Sequence, residues 1–316
     1  MDKEAGVLIM FYFIVNPKAR SAQGGMLWDK VSEILTARNV EYEAYFTEYP
    51  GHATELARQI LVLSIPCTLV VVGGDGTLNE VINGLAEKDF SHITLGYIPT
   101  GSGNDFARGL GLATDLEAGM AAILSPSKYA MADIGLTRTK ENKRYFLVSS
   151  GIGYDASICA GVSRSSLKKA LNKAGLGKLS YVLIALKLLA GYRPCPVSIR
   201  LDKKEVHRFS GFFFTAVMNM KYEGGGVKFC PQAQYDDGRF HICLVEKMPK
   251  LKILTLFPTA FFGKHTGFKG IHMLDCRRID IISKEPLPIH CDGEVLDNIC
   301  RVSMFNTQNQ IKVILQ

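Results

Sequence analysis

A chain of 316 residues, 47% of them apolar, is long enough for two sizeable cores and ordinary in polarity. No apolar run approaches the ~20 residues that span a bilayer, and the eight cysteines form no CxxC pair and no zinc-type spacing with histidine. The formal charge of +7 is local: residues 156–201 hold eight Lys or Arg and no Asp or Glu, so the rest is near neutral and no nucleic-acid partner is expected.

Residues 7–15 are an apolar run stopped by Asn16-Pro17, with acids upstream and no cleavage site, so they read as a first strand and not a signal peptide. Without an export signal the cysteines are expected as reduced thiols in a cytoplasmic protein. The β-branched runs 7–15 and 68–72, with 40–46 and 93–98 as neighbours, suit buried parallel strands. Helical patterns fill the gaps at 26–38, 52–64 and 77–87, and another follows near 115–124. This alternation predicts an open, Rossmann-like α/β domain over residues 1–128. Ligands of such sheets sit at the carboxyl ends of the strands. Loops 16–25, 73–77 and 99–105 leave those ends and are expected to meet in one crevice.

The character changes near residue 129. Strand-like runs at 129–137, 144–149, 197–201, 211–219, 239–246, 278–283 and 300–305 predict an antiparallel β-sandwich over 129–305, with helical stretches near 153–162, 166–190 and 249–262. Asp236-Asp237-Gly238 reads as a hairpin signal. The apolar run 251–262 reads as core more than as a lipid-facing wall.

Two glycine-rich turns carry the chemistry. In LVVVGGDGTLNEVIN (69–83) a buried strand stops at glycines and helix-type residues begin at once; IPTGSGNDFARG (98–109) repeats the theme. Glycines admit backbone close to phosphate oxygens, and first-turn N–H groups point at the anion. Thr77-Leu78-Asn79-Glu80 fits a capping box that would start the helix at Thr77. One such turn divides evenly between a phosphate site and a well-capped βα turn, but two, each with an Asp, point to phosphate. GLGKLS (175–180) lacks the spacing of a P-loop and follows no strand. The seven histidines offer no constellation and read as solvated or structural.

GGDGTLNEVINGL followed by PTGSGNDFARGLGL closely resembles the diacylglycerol kinase catalytic-domain family, which includes bacterial lipid kinases and the sphingosine and ceramide kinases. Asn16-Pro17-Lys18-Ala19-Arg20, GIGYDA (151–156), Glu223 with the triple glycine 224–226, Asp236-Asp237-Gly238 and Asp292-Gly293-Glu294 continue the family's motifs in order. Serines stand at 149–150 where the family usually has Asn, and Arg20 where it often has Gly. The resemblance implies a nucleotide domain and a sandwich domain with the site in the cleft between them, residues 306–316 returning to the first domain.

Carried over by that resemblance, Asn16, Pro17, Lys18, Ala19, Arg20, Thr47, Gly73, Gly74, Asp75, Gly76, Thr77, Leu78, Asn79, Thr100, Gly101, Asn104 and Asp105 would hold ATP. Asp75 would organise the triphosphate and catalytic Mg²⁺. Asp292 and Glu294 would be catalytic carboxylates, with Glu294 as base. Asp237 and the carbonyls near Gln234 and Arg239 would hold a second Mg²⁺. Phosphoryl transfer to an alcohol needs this: charge neutralisation, in-line positioning and a carboxylate for the hydroxyl proton. By spacing alone, Asp292-Gly293-Glu294 and Asp236-Asp237-Gly238 are ordinary turns more often than sites.

The implied acceptor is a membrane lipid such as diacylglycerol, which keeps its chains in the bilayer because each buried CH₂ contributes about 0.8 kcal/mol. The basic segment 164–193 suits peripheral contact with an anionic membrane; its alternative is a helical pair packed on the sandwich with its lysines solvated. The rival readings are a soluble NAD kinase-like enzyme, which shares GGDGT, and a non-catalytic lipid or nucleotide binder. A homodimer is left open.

Overall fold

The computed structural model describes residues 10–113, 115–165, 177–204 and 206–316, without the side chains of 20–23, 177–181 and 297. The expectations for residues 7–9, the Arg20 side chain, residues 166–176 with Lys168, Lys169 and Lys173, and the side chain of Lys178 lie outside the described residues.

Strands β1 (Met10–Val15), β2 (Tyr42–Phe46), β3 (Cys67–Gly73) and β4 (Ile93–Pro99) are parallel in the order β2-β1-β3-β4. β3 is buried along its whole length, and its alternate residues face two helical layers. Leu69 and Val71 pack with α2 (His52–Val62) and α3 (Asp75–Leu85), while Val70 and Val72 pack with α1 (Ala19–Ala37) and, beyond the short α4 (Asp105–Leu110), α5 (Leu116–Leu124). α3 buries Leu78, Val81, Ile82 and Leu85, the spacing of one helix face. Each such side chain contributes about 1.5–3 kcal/mol on burial. The turns on either side of α3 are thus held by a dry, two-faced core.

The second half is an antiparallel sandwich of β5 (Lys128–Arg138), β6 (Lys143–Phe146), β7 (Ser149–Gly153), β8 (Cys195–Leu201), β9 (Val206–Met218), β10 (Phe240–Glu246), β11 (Ile271–Cys276), β12 (Arg278–Cys291) and β13 (Glu294–Leu315). Phe146, Ile152, Phe212, Val217, Ile242, Ile281 and Val302 form its centre. Helices α6 (Tyr154–Arg164), α7 (Gly177–Gly191) and α8 (Lys250–Phe261) lie outside that sheet. The two halves share more than an interface. β13 pairs antiparallel with β12 and β5, and its Lys312 and Val313 pair parallel with Thr94 and Leu95 of β4, joining the thirteen strands of the described residues in one hydrogen-bonded sheet.

Several local expectations change. The capping box does not form: α3 starts at Asp75 after Gly74, with no side-chain cap. Glu80 instead accepts from Gly51 N (2.9 Å) and Ala53 N (3.2 Å) at the start of α2, and Thr77 Oγ1 accepts from Asn16 Nδ2 at 2.9 Å. Tertiary partners outbid the local cap. α1 begins at Ala19 and not near 26, and α4 occupies part of the expected loop 99–105 and beyond. Asp236-Asp237-Gly238 is no hairpin turn; it lies in the long connection from β9 to β10. Residues 251–262 are not core: of α8 only Leu256 and Ala260 are buried, while Leu251 and Phe262 are each 73% exposed.

Candidate active site

The two glycine turns meet at the carboxyl ends of β3 and β4. Thr100 N donates to Gly73 O at 2.8 Å, and a Cβ on Gly101 would stand 2.9 Å from Gly74 Cα and 2.8 Å from Asn104 Oδ1. Backbone rests on backbone there, so glycine is required by space. Asp75 leaves the first turn and accepts from the second: Asp105 N at 3.1 Å and Phe106 N at 3.3 Å, the open N–H groups of α4. Asp105 in turn accepts from Gly225 N at 2.8 Å and from Arg108 Nη1 at 2.5 Å. This chain of carboxylates ties both turns to the triple glycine of the second domain. Burial first, then Asp105 and Asp292, push the Asp75 carboxyl up to about 7.

Asp292-Gly293 is the two-residue turn of the β12–β13 hairpin, both residues at positive φ (47° and 81°), with Cys291 paired to Glu294. The hairpin reading was therefore right in form, but the turn does more. Asp292 receives Leu147 N (3.0 Å), Val148 N (2.9 Å), Ser149 N (2.9 Å) and Asn79 Nδ2 (2.9 Å). Asn79 is fully buried and also donates to Tyr145 O at 2.8 Å and accepts from Arg144 Nε at 2.8 Å. Asp292 thus anchors the hairpin to α3 across the two halves. Burial raises its carboxyl above the ordinary value, and the N–H donors pull it back. Glu294, two residues on, is exposed, and a Cβ on Gly76 would approach its Oε1 to 3.2 Å. Asp292 orients the turn; Glu294 is the carboxylate left to face the glycine turn.

A cavity of about 260 Å³ opens between these elements. The glycine turns and the β12–β13 turn give it a polar end, with Gly74, Asp75, Gly76, Gly101, Ser102, Gly103, Asp105, Asp292 and Glu294 beside Val148 and Ser149; α6, α7, α8 and residues 227–229 give it an apolar end, with Ile158, Ala185, Val227, Phe229 and Phe257. Of the expected nucleotide residues, Gly74, Asp75, Gly76, Gly101 and Asp105 line it. Asn16, Pro17, Lys18, Ala19, Thr47, Gly73, Thr77, Thr100 and Asn104 do not. Asn16 braces Thr77 and accepts from Lys18 N at 3.0 Å; Lys18 Nζ donates to Glu48 O at 2.8 Å; Thr47 N donates to Val15 O at 2.8 Å. Leu78 is in the hydrophobic core and Asn79 is turned to Asp292, so neither side chain faces the cavity.

Gln234, Asp237 and Arg239 lie outside the cavity. Asp237 Oδ1 accepts from Arg239 N at 3.0 Å and Oδ2 meets His241 Nε2 at 2.9 Å, while Gly238 N donates to Asp133 at 2.7 Å. Among the described residues, the group of three side chains spaced to share a cation is a different one, Asp155, Glu223 and His290, all buried. His290 Nε2 stands 2.9 Å from Asp155 Oδ2 and 3.0 Å from Glu223 Oε1. Burial and Asp155 push Glu223 up to about 7. Asp155 and Glu223 also line the cavity. A histidine constellation therefore exists where none was expected. The available signal was proximity to motifs: each of the three borders a glycine-bearing one, though 155, 223 and 290 share no local period. Serines 149 and 150 pack here too, Ser150 Oγ donating to His290 O at 2.7 Å.

Comparison with known proteins matches two family models in succession. Residues 10–135 match the model of the diacylglycerol kinase catalytic domain, and 148–311 that of the YegS C-terminal NAD kinase beta sandwich-like domain. The chain is 33% identical over 291 residues to "Putative lipid kinase YtlR" of Bacillus subtilis strain 168, covering 90% of this chain and 93% of that one. It is 32% identical over 260 residues to a diacylglycerol kinase of Staphylococcus saprophyticus, covering 82% and 80%. A crystal structure of "a putative diacylglycerol kinase" from Bacillus anthracis str. Sterne superposes with a TM-score of 0.76 at 26% identity, covering 99% of both chains.

Proposed function

Because the chain belongs to the diacylglycerol kinase catalytic-domain family and is a kinase, we propose that it moves the γ-phosphoryl group of ATP to the hydroxyl of diacylglycerol, giving phosphatidic acid. The observation that carries this reading is the two-ended cavity: glycine turns and carboxylates at one end, an apolar wall at the other. A nucleotide triphosphate suits the first and acyl chains the second.

In this reading the first-turn N–H groups of α3 and the Gly101–Gly103 backbone bind phosphate. Glu294, exposed at the cavity's polar end, takes the acceptor hydroxyl's proton, while Asp292 fixes the turn that presents it. Burial, with Asp105 and Asp292 nearby, lifts the Asp75 carboxyl, and that gathering of acids is a setting in which a hard cation fits. Asp75 would hold Mg²⁺, which supplies charge neutralisation at the triphosphate. Asp237, with the carbonyls of Gln234 and Arg239, is a candidate for a second Mg²⁺, in competition with His241 for Oδ2.

Among the described residues no helix is long and apolar enough to cross a membrane. Peripheral contact is supported by the exposed Leu251, Leu254, Phe261 and Phe262 of α8 and its surroundings, beside Lys250, Lys252 and Lys264. Phe257 of the same helix lines the cavity, so that surface adjoins the apolar end. The NAD kinase-like alternative shares the sandwich description but offers no use for an apolar wall.

The test is transfer of γ-labelled phosphate from ATP to a lipid panel in mixed micelles, with NAD in a parallel assay. Labelled phosphatidic acid from wild type, reduced at least 100-fold in Glu294→Gln, is the expected result. Labelled NADP without labelled lipid would overturn it.

A further inference from the structure

Glu223 is buried in the wall of the cavity, and neither of its carboxyl oxygens has a hydrogen-bond partner. A buried carboxyl oxygen left unpaired is costly unless a ligand completes it. Its Oε1 stands 3.0 Å from His290 Nε2 without hydrogen-bonding it, and the same Nε2 faces Asp155 Oδ2 at 2.9 Å. Gly293 N donates to His290 Nδ1 at 3.2 Å. In that geometry Nδ1 accepts and the Nε2 proton is directed at Asp155 Oδ2. The Gly293 bond argues against a cation on Nε2, since a metallated ring would need a proton on Nδ1, pointed at the Gly293 N–H.

With the Nε2 proton directed at Asp155, neither Glu223 oxygen is engaged, and a proton carried by Glu223 is left for a ligand in the cavity it lines. Asp155 of α6, Asp105 of α4 and His290 of β12 face Glu223, along with the thiols of Cys230 and Cys243; Cys159 faces His290. The acids and the burial outweigh the histidine and favour the protonated carboxyl near neutrality. A neutral acid held this way is a hydrogen-bond donor.

Its place along the cavity selects the partner. The acceptor hydroxyl belongs at the polar end, beside Glu294. From there toward Val227, Phe229 and Phe257 the next polar atoms of an acylated lipid are linkage carbonyls, which accept and never donate. We propose that the Glu223 carboxylic acid, unpaired in the cavity wall, donates to an acyl-linkage carbonyl of the lipid acceptor and so reads an ester or amide where an ether offers none. This rests on the kinase reading for the acceptor's identity, but it concerns binding and is measurable without turnover.

The experiment compares 1,2-dihexanoylglycerol with its 1,2-dihexyl diether, on the full chain, by calorimetric titration without ATP and by KM in the kinase assay. Wild type at pH 6 is expected to bind the diester at least 10-fold more tightly, the preference fading by pH 8 as Glu223 ionises. Glu223→Gln keeps a donor and should hold the preference at both pH values; Glu223→Ala should lose it at both, with ATP affinity within two-fold of wild type and a native unfolding transition. Equal binding of diester and diether by wild type at pH 6, or a preference retained in Glu223→Ala, overturns the proposal. If no lipid is phosphorylated yet the binding preference follows Glu223, the kinase reading fails and the carbonyl site stands.

Discussion

The polar and apolar ends of the cavity are built in opposite ways. At the polar end, backbone sits on backbone at Gly74 and Gly101, and a carboxylate from each turn is tied down by N–H groups of another element. Toward the apolar end, Asp155, Glu223 and His290 come from α6, a loop and β12, and both Glu223 oxygens remain open. On the proposed reading, the difference follows from what each end binds. A triphosphate has a fixed geometry and rewards a rigid cradle. A lipid acceptor varies, so its end can be a wall with one polar mark and an adjoining exposed surface.

The sharpest way to break this comparison is Glu294→Gln. A base at the polar end predicts a kcat lower by about 10²–10⁴, with an unfolding midpoint unchanged because Glu294 is exposed; equal kcat would remove Glu294 from the chemistry. Asp292→Ala should behave differently, losing activity and about 3 kcal/mol of stability in urea denaturation, since buried N–H donors are orphaned. If Asp292→Ala unfolds like wild type, its anchoring role is wrong. Gly101→Ala should cost about 1–3 kcal/mol by wedging the two turns apart, and raise the ATP KM more than the lipid KM.

Weaker effects probe the acceptor side. Leu251→Ser with Phe262→Ser should cut binding to phosphatidylserine-containing vesicles about ten-fold, on the order of 1.4 kcal/mol, while leaving turnover of dihexanoylglycerol in solution as in wild type. Equal loss in both assays would place these residues in folding and not at a membrane. Smallest is a pH effect. The folded-state pKa of Glu223 lies above that of an unfolded Glu, so its contribution is present at low pH and lost as pH rises through about 7. Tm in the absence of ligands should fall by about a few °C between pH 6 and pH 8, and by less in Glu223→Gln.

What the sequence made legible follows the same division. Glycine turns at strand ends are local: Gly73-Gly74-Asp75 and Gly101 to Asp105 are contiguous, and strand burial with helix periodicity fixes which side they leave. The chain order of motifs then carried the family and the two-part architecture. The capping box failed because Glu80 and Thr77 found partners in α2 and the Asn16 loop, contacts with no trace in a four-residue pattern. His290 looked isolated for the same reason, 135 residues from Asp155 and 67 from Glu223 in sequence. Residues 251–262 read as core because hydrophobicity alone does not tell an apolar face that meets protein from one left exposed.

The most direct test of the two-ended site is product analysis after incubating wild type with γ-labelled ATP, Mg²⁺ and dioleoylglycerol in anionic vesicles. Label recovered in phosphatidic acid, and at least 100-fold less with Glu294→Gln at an equal unfolding midpoint, is the predicted result. Label confined to inorganic phosphate, or phosphatidic acid formed equally by the variant, would contradict it.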